Sequence, residues 1–320
     1  MLNRRGKPCN QILDAWIVFS MNQHVDNSGQ NWIESAARIS SVLPLLLFLG
    51  VAFLVPDTAV GHTYRYAIPW IPELGVNLSF VLDGLSVLFA LIISGIGFFV
   101  TLYAVDYLHG HSHTCRFFLF LHLFMLSMLG LVTADNMLVL FVFWELTTIF
   151  SYLLIGFEHE SAESRKSARQ ALLVTGAGGL ALLVGFLLLE IATGTYGISQ
   201  MLSGGGTLQD HPYYSAILVL FFLGAFSKSA QFPFHFWLPN AMAAPTPVSA
   251  FLHSATMVKG GIYLLARFHP ILGGSAEWTI TLVLVGALTA VMGAFTALGQ
   301  SDLKKILAYT TVSALGIMTM

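Results

Sequence analysis

Charge is what this 320-residue sequence has least of: Asp, Glu, Lys and Arg make up 9% of it, against roughly 25% in an ordinary soluble domain. With so few polar groups, a water-soluble fold of this length could not cover the 56% of residues that are hydrophobic. There is no basic excess either. The 14 Lys and Arg against 16 Asp and Glu give a formal net charge of −2, which argues against a nucleic-acid partner. Cysteine is nearly absent. Cys9 and Cys115 exclude a disulfide scaffold and lack the spacing of a zinc site. A cleaved signal peptide is missing too: residues 1–38 are polar and mixed, and their one weak apolar patch, Ile12 to Phe19, is too short to cross a membrane.

What the chain has in abundance is apolar runs long enough to cross a ~30 Å hydrocarbon layer at ~1.5 Å per residue. They fall at 39–55, 83–107, 116–133, 136–157, 170–192, 213–243, 246–268, 277–299 and 303–320. The expected fold is therefore an all-α polytopic membrane protein of about nine transmembrane helices, with residues 1–38 as a polar N-terminal segment and 39–320 as the transmembrane domain. The glycine-rich TGAGGLALLVG stretch at 175–185 has no strand before it and purely apolar flanks, so close helix packing through Gly176, Gly179 and Gly185 explains it better than a phosphate loop. The 57–82 connection contains Pro69 and Pro72 and runs into the alternating VNLSFVLDG, which suggests a short β-hairpin on the outer surface.

Basic residues set the orientation. With the N-terminus cytoplasmic, one face holds Arg4, Arg5, Lys7, Arg38, Arg116, Arg165, Lys166, Arg169, Lys304 and Lys305, and the other only Arg65 and Arg267. That ten-to-two bias requires 213–243 to count as one crossing. Lys228 and Lys259 lie within spans.

Ionisable groups at membrane depth are costly and usually kept for a purpose. Glu145 lies nine residues after Asn136 and twelve before Phe157, too deep to reach water by extending its side chain. Thr148 and Tyr152 follow at i+3 and i+7, giving one polar stripe. Its bland reading is a protonated carboxyl bonding a neighbouring helix; its functional reading is a carboxylate paired with a buried cation. Lys228, in LVLFFLGAFSKSAQFPFHFWLPNAM, is the candidate partner. Pro233 clashes with the carbonyl of Ser229, so the helix should break just after the lysine, and broken helices at this depth usually line a hydrated cavity. A small movement of such a pair would bind or release a proton, whereas a static ion pair would only fix two helices. On the next span, successive steps of three from His253 pass Thr256 and reach Lys259, a polar track rising about 9 Å, suited to proton relay; a packed core histidine is the alternative for His253. His235, in the helix break, is a possible further member. His109, His111 and His113 with Cys115 resemble a metal cluster on paper, but the alternate spacing and lack of acidic neighbours favour a solvated loop. No metal or cofactor is expected.

The segments FWELTTIFSYLLIGF (143–157), FPFHFWLPNAMAAPTPVSAFLHSATMVKGGIYLLARF (232–268), SDLKKILAYTTVSALGIM (301–318) and LDGLSVLFALIISGIGFFVTLY (82–103) closely resemble the antiporter-like subunits shared by respiratory complex I and the Mrp-type multisubunit cation/proton antiporters. FWELT, His235 in PFHFW and the lysine of TMVKGG are more similar to the Mrp large (A) subunit. The resemblance covers residues 40–320. It implies that Glu145 is the family's carboxylate on its fifth helix, Lys228 the lysine on its broken seventh, and Lys259 with His253 the relay on its eighth, together forming a half-channel. It further implies exchange of Na⁺ or K⁺ for protons, no cofactor, a cell-membrane location and partner membrane subunits in a hetero-oligomeric complex. The alternative is a proton-pumping subunit of an NADH:quinone oxidoreductase or hydrogenase complex. A membrane scaffold is a third class, against which the buried ionisable residues argue. Asn240 stands where the family's WLPDAM usually has aspartate. The family's first helix and the segments beyond Met320 are missing, so the chain reads as partial at both ends.

Overall fold

The computed structural model of the chain describes residues 38–71, 76–111, 113–203 and 208–320. Cys9, Pro72 and almost all of the polar segment expected over 1–38 fall outside these. Helices dominate. In chain order they are α1 (Val42–Phe53), α2 (Val55–Ala59), the strands β1 (Tyr64–Ile71) and β2 (Val76–Leu82), then α3 (Gly84–Tyr107), α4 (Thr114–Thr133), α5 (Met137–Ile155), α6 (Ala162–Thr193), α7 (Ile198–Ser203) and α8 (Tyr214–Lys228). Two 3₁₀ turns (Phe234–Phe236 and Ala241–Ala243) flank the short α9 (Trp237–Asn240), and α10 (Thr246–Ser254), α11 (Lys259–Leu272), α12 (Ala276–Leu298) and α13 (Leu303–Thr319) complete the chain. Five of them, α3, α4, α5, α6 and α12, are long and apolar enough to cross a membrane, while Arg38–Phe53 and α8 are shorter apolar helices.

Four helices, α3, α5, α12 and α13, start where the sequence supplies a side-chain cap. Asp83 accepts from the Ser86 amide at 2.9 Å, Asn136 from the Leu138 amide at 2.9 Å, Ser275 from the Trp278 amide at 3.0 Å and Asp302 from the Lys304 amide at 2.8 Å. Each cap occupies an N–H that the helix itself cannot pair. At its other end α6 closes on Gly194, whose φ of 74° lies in the left-handed region that glycine enters without a Cβ clash.

Glycines bring α6 against α8. A Cβ on Gly224 would lie 2.8 Å from Leu182 Cβ, and one on Gly185 would lie 3.2 Å from Leu220 Cβ. Gly178 is equally tight, with the Leu223 carbonyl 3.0 Å from where its Cβ would sit, but nothing approaches Gly176 within 4 Å. Of the three glycines expected to pack, Gly176 therefore does not, and Gly178 takes that part. Without water to drive apolar association inside a bilayer, such close backbone approach is a main source of helix–helix affinity.

The expected hairpin is present. β1 and β2 pair antiparallel from Tyr64 opposite Leu82 to Ile71 opposite Val76, and the Asp135 amide donates to the Ser79 carbonyl at 2.9 Å. The Met137 amide donates in turn to Tyr196, and Ile198 to Asp135, so one face of the bundle is tied by the hairpin and the two loops beside it.

Three expected spans differ in detail. α6 begins at Ala162, eight residues before the apolar run, because Ser161 caps it and Arg165, Lys166 and Arg169 lie on its first turns rather than in a loop. Regular helix over 213–243 ends at Lys228. The run 246–268 is two helices, with Ala255 to Val258 between them. There the Phe251 carbonyl accepts from the Thr256 hydroxyl at 2.7 Å and from the Ala255 amide only at 3.4 Å; the hydroxyl has displaced the helical ladder. The track from His253 to Lys259 is consequently no continuous helix face.

Candidate functional site

Lys228 occupies the last turn of α8 and is fully buried. The end of this helix is set by its own sequence: Ala230 adopts φ 49° and the Gln231 amide reaches back to the Phe226 carbonyl at 2.9 Å. This is the closing arrangement usually made with glycine in the left-handed position, and an alanine there costs about 1 kcal/mol. Pro233, with no N–H to donate, cannot carry the helix on.

The ammonium of Lys228 donates to the Trp144 carbonyl at 2.7 Å and to the Thr148 hydroxyl at 3.2 Å, and lies 4.3 Å from the centre of the Trp144 ring. Thr147 and Thr148 donate their hydroxyls to the same carbonyl, at 2.7 and 3.1 Å. A buried cation is thus held by one peptide oxygen, one hydroxyl and a π face, all neutral. Its stem lies against α11, since a Cβ on Gly260 would be 3.7 Å from Lys228 Cδ.

Glu145 follows Trp144 on α5 but turns toward α6, where its carboxylate fills the space over Gly179 that a Cβ would need. Its Oε1 is buried with no hydrogen-bond partner. Glu145 and Lys228 act on one another electrostatically, yet they form no direct ion pair. The stripe expected from Glu145 through Thr148 to Tyr152 divides in three: Glu145 on Gly179, Thr148 on Lys228, and Tyr152 at a cavity near the end of α5.

Lys259 opens α11 and is partly buried, one residue from the glycine that backs Lys228. His253 lies in the last turn of α10 at 3% exposure, with neither ring nitrogen hydrogen-bonded. Its ring lies 6.4 Å from that of Trp237, whose indole N–H donates to the Ser227 carbonyl at 2.9 Å. His235 lies apart, stacked on the exposed Phe232 at 5.9 Å, with Nδ1 unpartnered. The structure thus brings Glu145, Lys228 and the start of α11 together, sets His253 behind Trp237, and leaves His235 outside. Asn240 donates its amide to Gln170 Oε1 at 2.8 Å.

Three participants carried no sequence signal strong enough to single them out. Trp144 acts through its carbonyl, which every residue has. Gln231 is fully buried and its Oε1 has no partner. The Ser229 hydroxyl donates to the Val258 carbonyl at 2.8 Å, joining the two interruptions. Buried polar atoms left without partners, as on Glu145, Gln231 and His253, are the kind that ordered water satisfies.

Arg267, counted above among outer-face basic residues, is buried. It forks onto Asp83 at 2.5 and 3.0 Å and donates to the Ser86 and Tyr263 hydroxyls at 2.7 and 2.9 Å. Burial alone would raise the Asp83 carboxyl, but the hydrogen bond from Arg267, the Ser86 amide and the arginine charge prevail and hold it at about 2. Among the described residues no group of His, Cys, Asp and Glu is arranged to hold a metal ion, and Cys115 is exposed and free.

A bundle of apolar helices around a buried lysine that touches no carboxylate, with the Glu145 Oε1 left without a partner, defines the class of an integral membrane protein. The sequence family described as NADH:quinone oxidoreductase/Mrp antiporter, TM, matches residues 134–320, and that described as NADH-ubiquinone oxidoreductase (complex I), chain 5 N-terminus, matches 69–118. The chain is 49% identical over 280 residues to a probable K⁺/H⁺ antiporter A/B subunit of Rhizobium meliloti (strain 1021), covering 88% of this chain and 28% of that one. It is 49% identical over 292 residues to a putative antiporter subunit, mnhA2, of Staphylococcus haemolyticus (strain JCSC1435), covering 90% and 36%. A chain of the Mrp complex from Dietzia sp. DQ12-45-1b superposes with a TM-score of 0.81 at 41% identity, over 91% of this chain and 31% of that one. The chain belongs to the NADH:quinone oxidoreductase/Mrp antiporter transmembrane family and is a multi-pass membrane protein. It spans about a third of the length of the curated relatives it matches.

Proposed function

We propose that the chain is part of the large subunit of a cell-membrane antiporter complex that exchanges a monovalent cation, Na⁺ or K⁺, for protons, working with other membrane subunits. In this reading it crosses the bilayer nine times, and 213–243 is a single crossing broken after Lys228. The observation that carries the proposal is the arrangement of Lys228 and Glu145: a fully buried ammonium with neutral acceptors alone, and a carboxylate within its field that does not touch it. A structural ion pair would close to hydrogen-bond distance, because only contact offsets the desolvation of both charges. Two charges held near but apart can each exchange a proton through intervening water, with Lys259 and His253 next in line. His235 is a weaker candidate, since nothing links it to Lys228.

The relatives named as antiporter subunits support cation exchange over quinone-driven pumping. The match of 69–118 to the complex I description keeps proton pumping in an oxidoreductase as the second reading. The test is cation-dependent proton movement in vesicles carrying the full-length complex. Lys228→Met should abolish exchange with assembly retained; normal exchange in that variant would remove Lys228 from the path.

A further inference from the structure

Where α4 and α6 begin and α5 ends, a cavity of about 250 Å³ opens on the face richest in basic residues, and Arg116, Phe120, Tyr152, Leu153, His159 and Arg165 line it. The two arginines are fixed by neutral groups. Arg116 donates to the Phe157 carbonyl at 3.2 Å, lies 3.4 Å from His159 Nδ1, and sits 5.1 Å from the centre of the Phe157 ring. Arg165 donates to the carbonyls of His159 and Glu160 at 2.6 and 2.8 Å. Each fork keeps further N–H donors. Among the described residues neither guanidinium pairs with a carboxylate; the ion pair found there joins Arg267 to Asp83 at the hairpin face. Glu158 and Glu160 line the adjoining cavity with His111 and His113, not this one.

Two positive charges converge here with no carboxylate among the lining residues, and the start of the 32-residue α6, whose first turn carries Glu163, adds its dipole to them. Planar guanidinium forks match phosphate oxygens in pairs. Phe120 and Leu153 supply an apolar wall beside the cationic floor. We propose that this cavity binds a phosphate-ester anion, its source being either the headgroup of an anionic phospholipid, with an acyl chain along Phe120 and Leu153, or a soluble phosphate. The proposal is independent of cation exchange, and so is its test.

The full-length complex would be stripped of lipid in neutral detergent and offered phosphatidylglycerol, phosphatidylcholine or inorganic phosphate, with binding read by native mass spectrometry. Phosphatidylglycerol should bind in preference to phosphatidylcholine, and Arg116→Gln with Arg165→Gln should weaken it by about tenfold or more. Failure of millimolar phosphate to displace the lipid assigns the site to a headgroup; binding of phosphate alone, lost in the same double variant, assigns it to a soluble anion. Equal binding by the wild type and the double variant, or equal retention of the two lipids with no phosphate bound, overturns the proposal. Should the double variant fail to assemble, Arg165→Gln and Tyr152→Phe, singly, carry the same test: Arg165 is exposed and Tyr152→Phe keeps the ring packing.

Discussion

The Lys228 ammonium lies 2.7 Å from the carbonyl oxygen of Trp144 and 4.3 Å from the centre of the same residue's indole ring, so one residue supplies both the nearest oxygen and the π face of a buried cation. The carboxylate that follows Trp144 in sequence is turned to another helix. This separation decides what substitution should do.

A pair in direct contact loses roughly 3–5 kcal/mol when one partner is removed and recovers most of it when both go. Glu145 and Lys228 do not touch, so their coupling should be about 1 kcal/mol, near the lower end of what neighbouring residues show. A double-mutant cycle of Glu145→Gln and Lys228→Met, scored on the thermal stability of the full-length complex, measures it. Exchange should be lost in both single variants and not recovered in the double. A coupling above 3 kcal/mol would mean that the two charges close into a contact pair.

Gly179 leaves the space that the Glu145 carboxylate fills. Gly179→Ala should expel the carboxylate and lower exchange by about tenfold or more, the usual consequence of displacing a reacting group by an ångström. Gly176→Ala, three residues away and facing open space, is the control and should be silent. Equal rates in the two variants would show that Glu145 works from another position.

Asp83 gives the fold a defined acid limit. Its carboxyl stands at about 2 in the folded chain against an ordinary 3.8, so the folded state holds its proton less tightly than the unfolded one. The stabilisation is fully present above about 3.8 and is lost as the pH falls through about 2. Acid unfolding of the wild type should show this component between those values, and Asp83→Asn should lack it while being less stable at neutral pH. Identical acid profiles would detach the Arg267 fork from stability.

Cys115 stands at the start of α4, next to Arg116, on the face to which the basic residues assign the cytoplasm. A membrane-impermeant thiol reagent should miss it in sealed cells and reach it after permeabilisation. Labelling in sealed cells would invert the orientation.

Long apolar runs were legible because a bilayer imposes a minimum length on them, and the hairpin because alternation and proline mark one. Pro233 announced that helix could not continue past Lys228. The interruption after His253 carried no such mark: Thr256 breaks the ladder by a side-chain hydrogen bond, and a threonine at that position is equally compatible with unbroken helix. Glu145, Lys228 and Lys259 stood out because charge is rare at that depth. How Glu145 turns was hidden, for it depends on a glycine of another helix. The burial of Arg267 was hidden for a related reason, since its partner Asp83 lies 184 residues away.

The hydrogen bond from Ser229 to the Val258 carbonyl joins the chain where α8 stops to the chain just before α11 starts. While that bond holds, the two interruptions act as a fulcrum with α8 and α11 as its arms, and a tilt that moves the Lys228 stem would carry Gly260 and the lysine before it along. In the proposed exchange, proton occupancy at one lysine would reach the other as leverage, without either charge having to cross the gap between them.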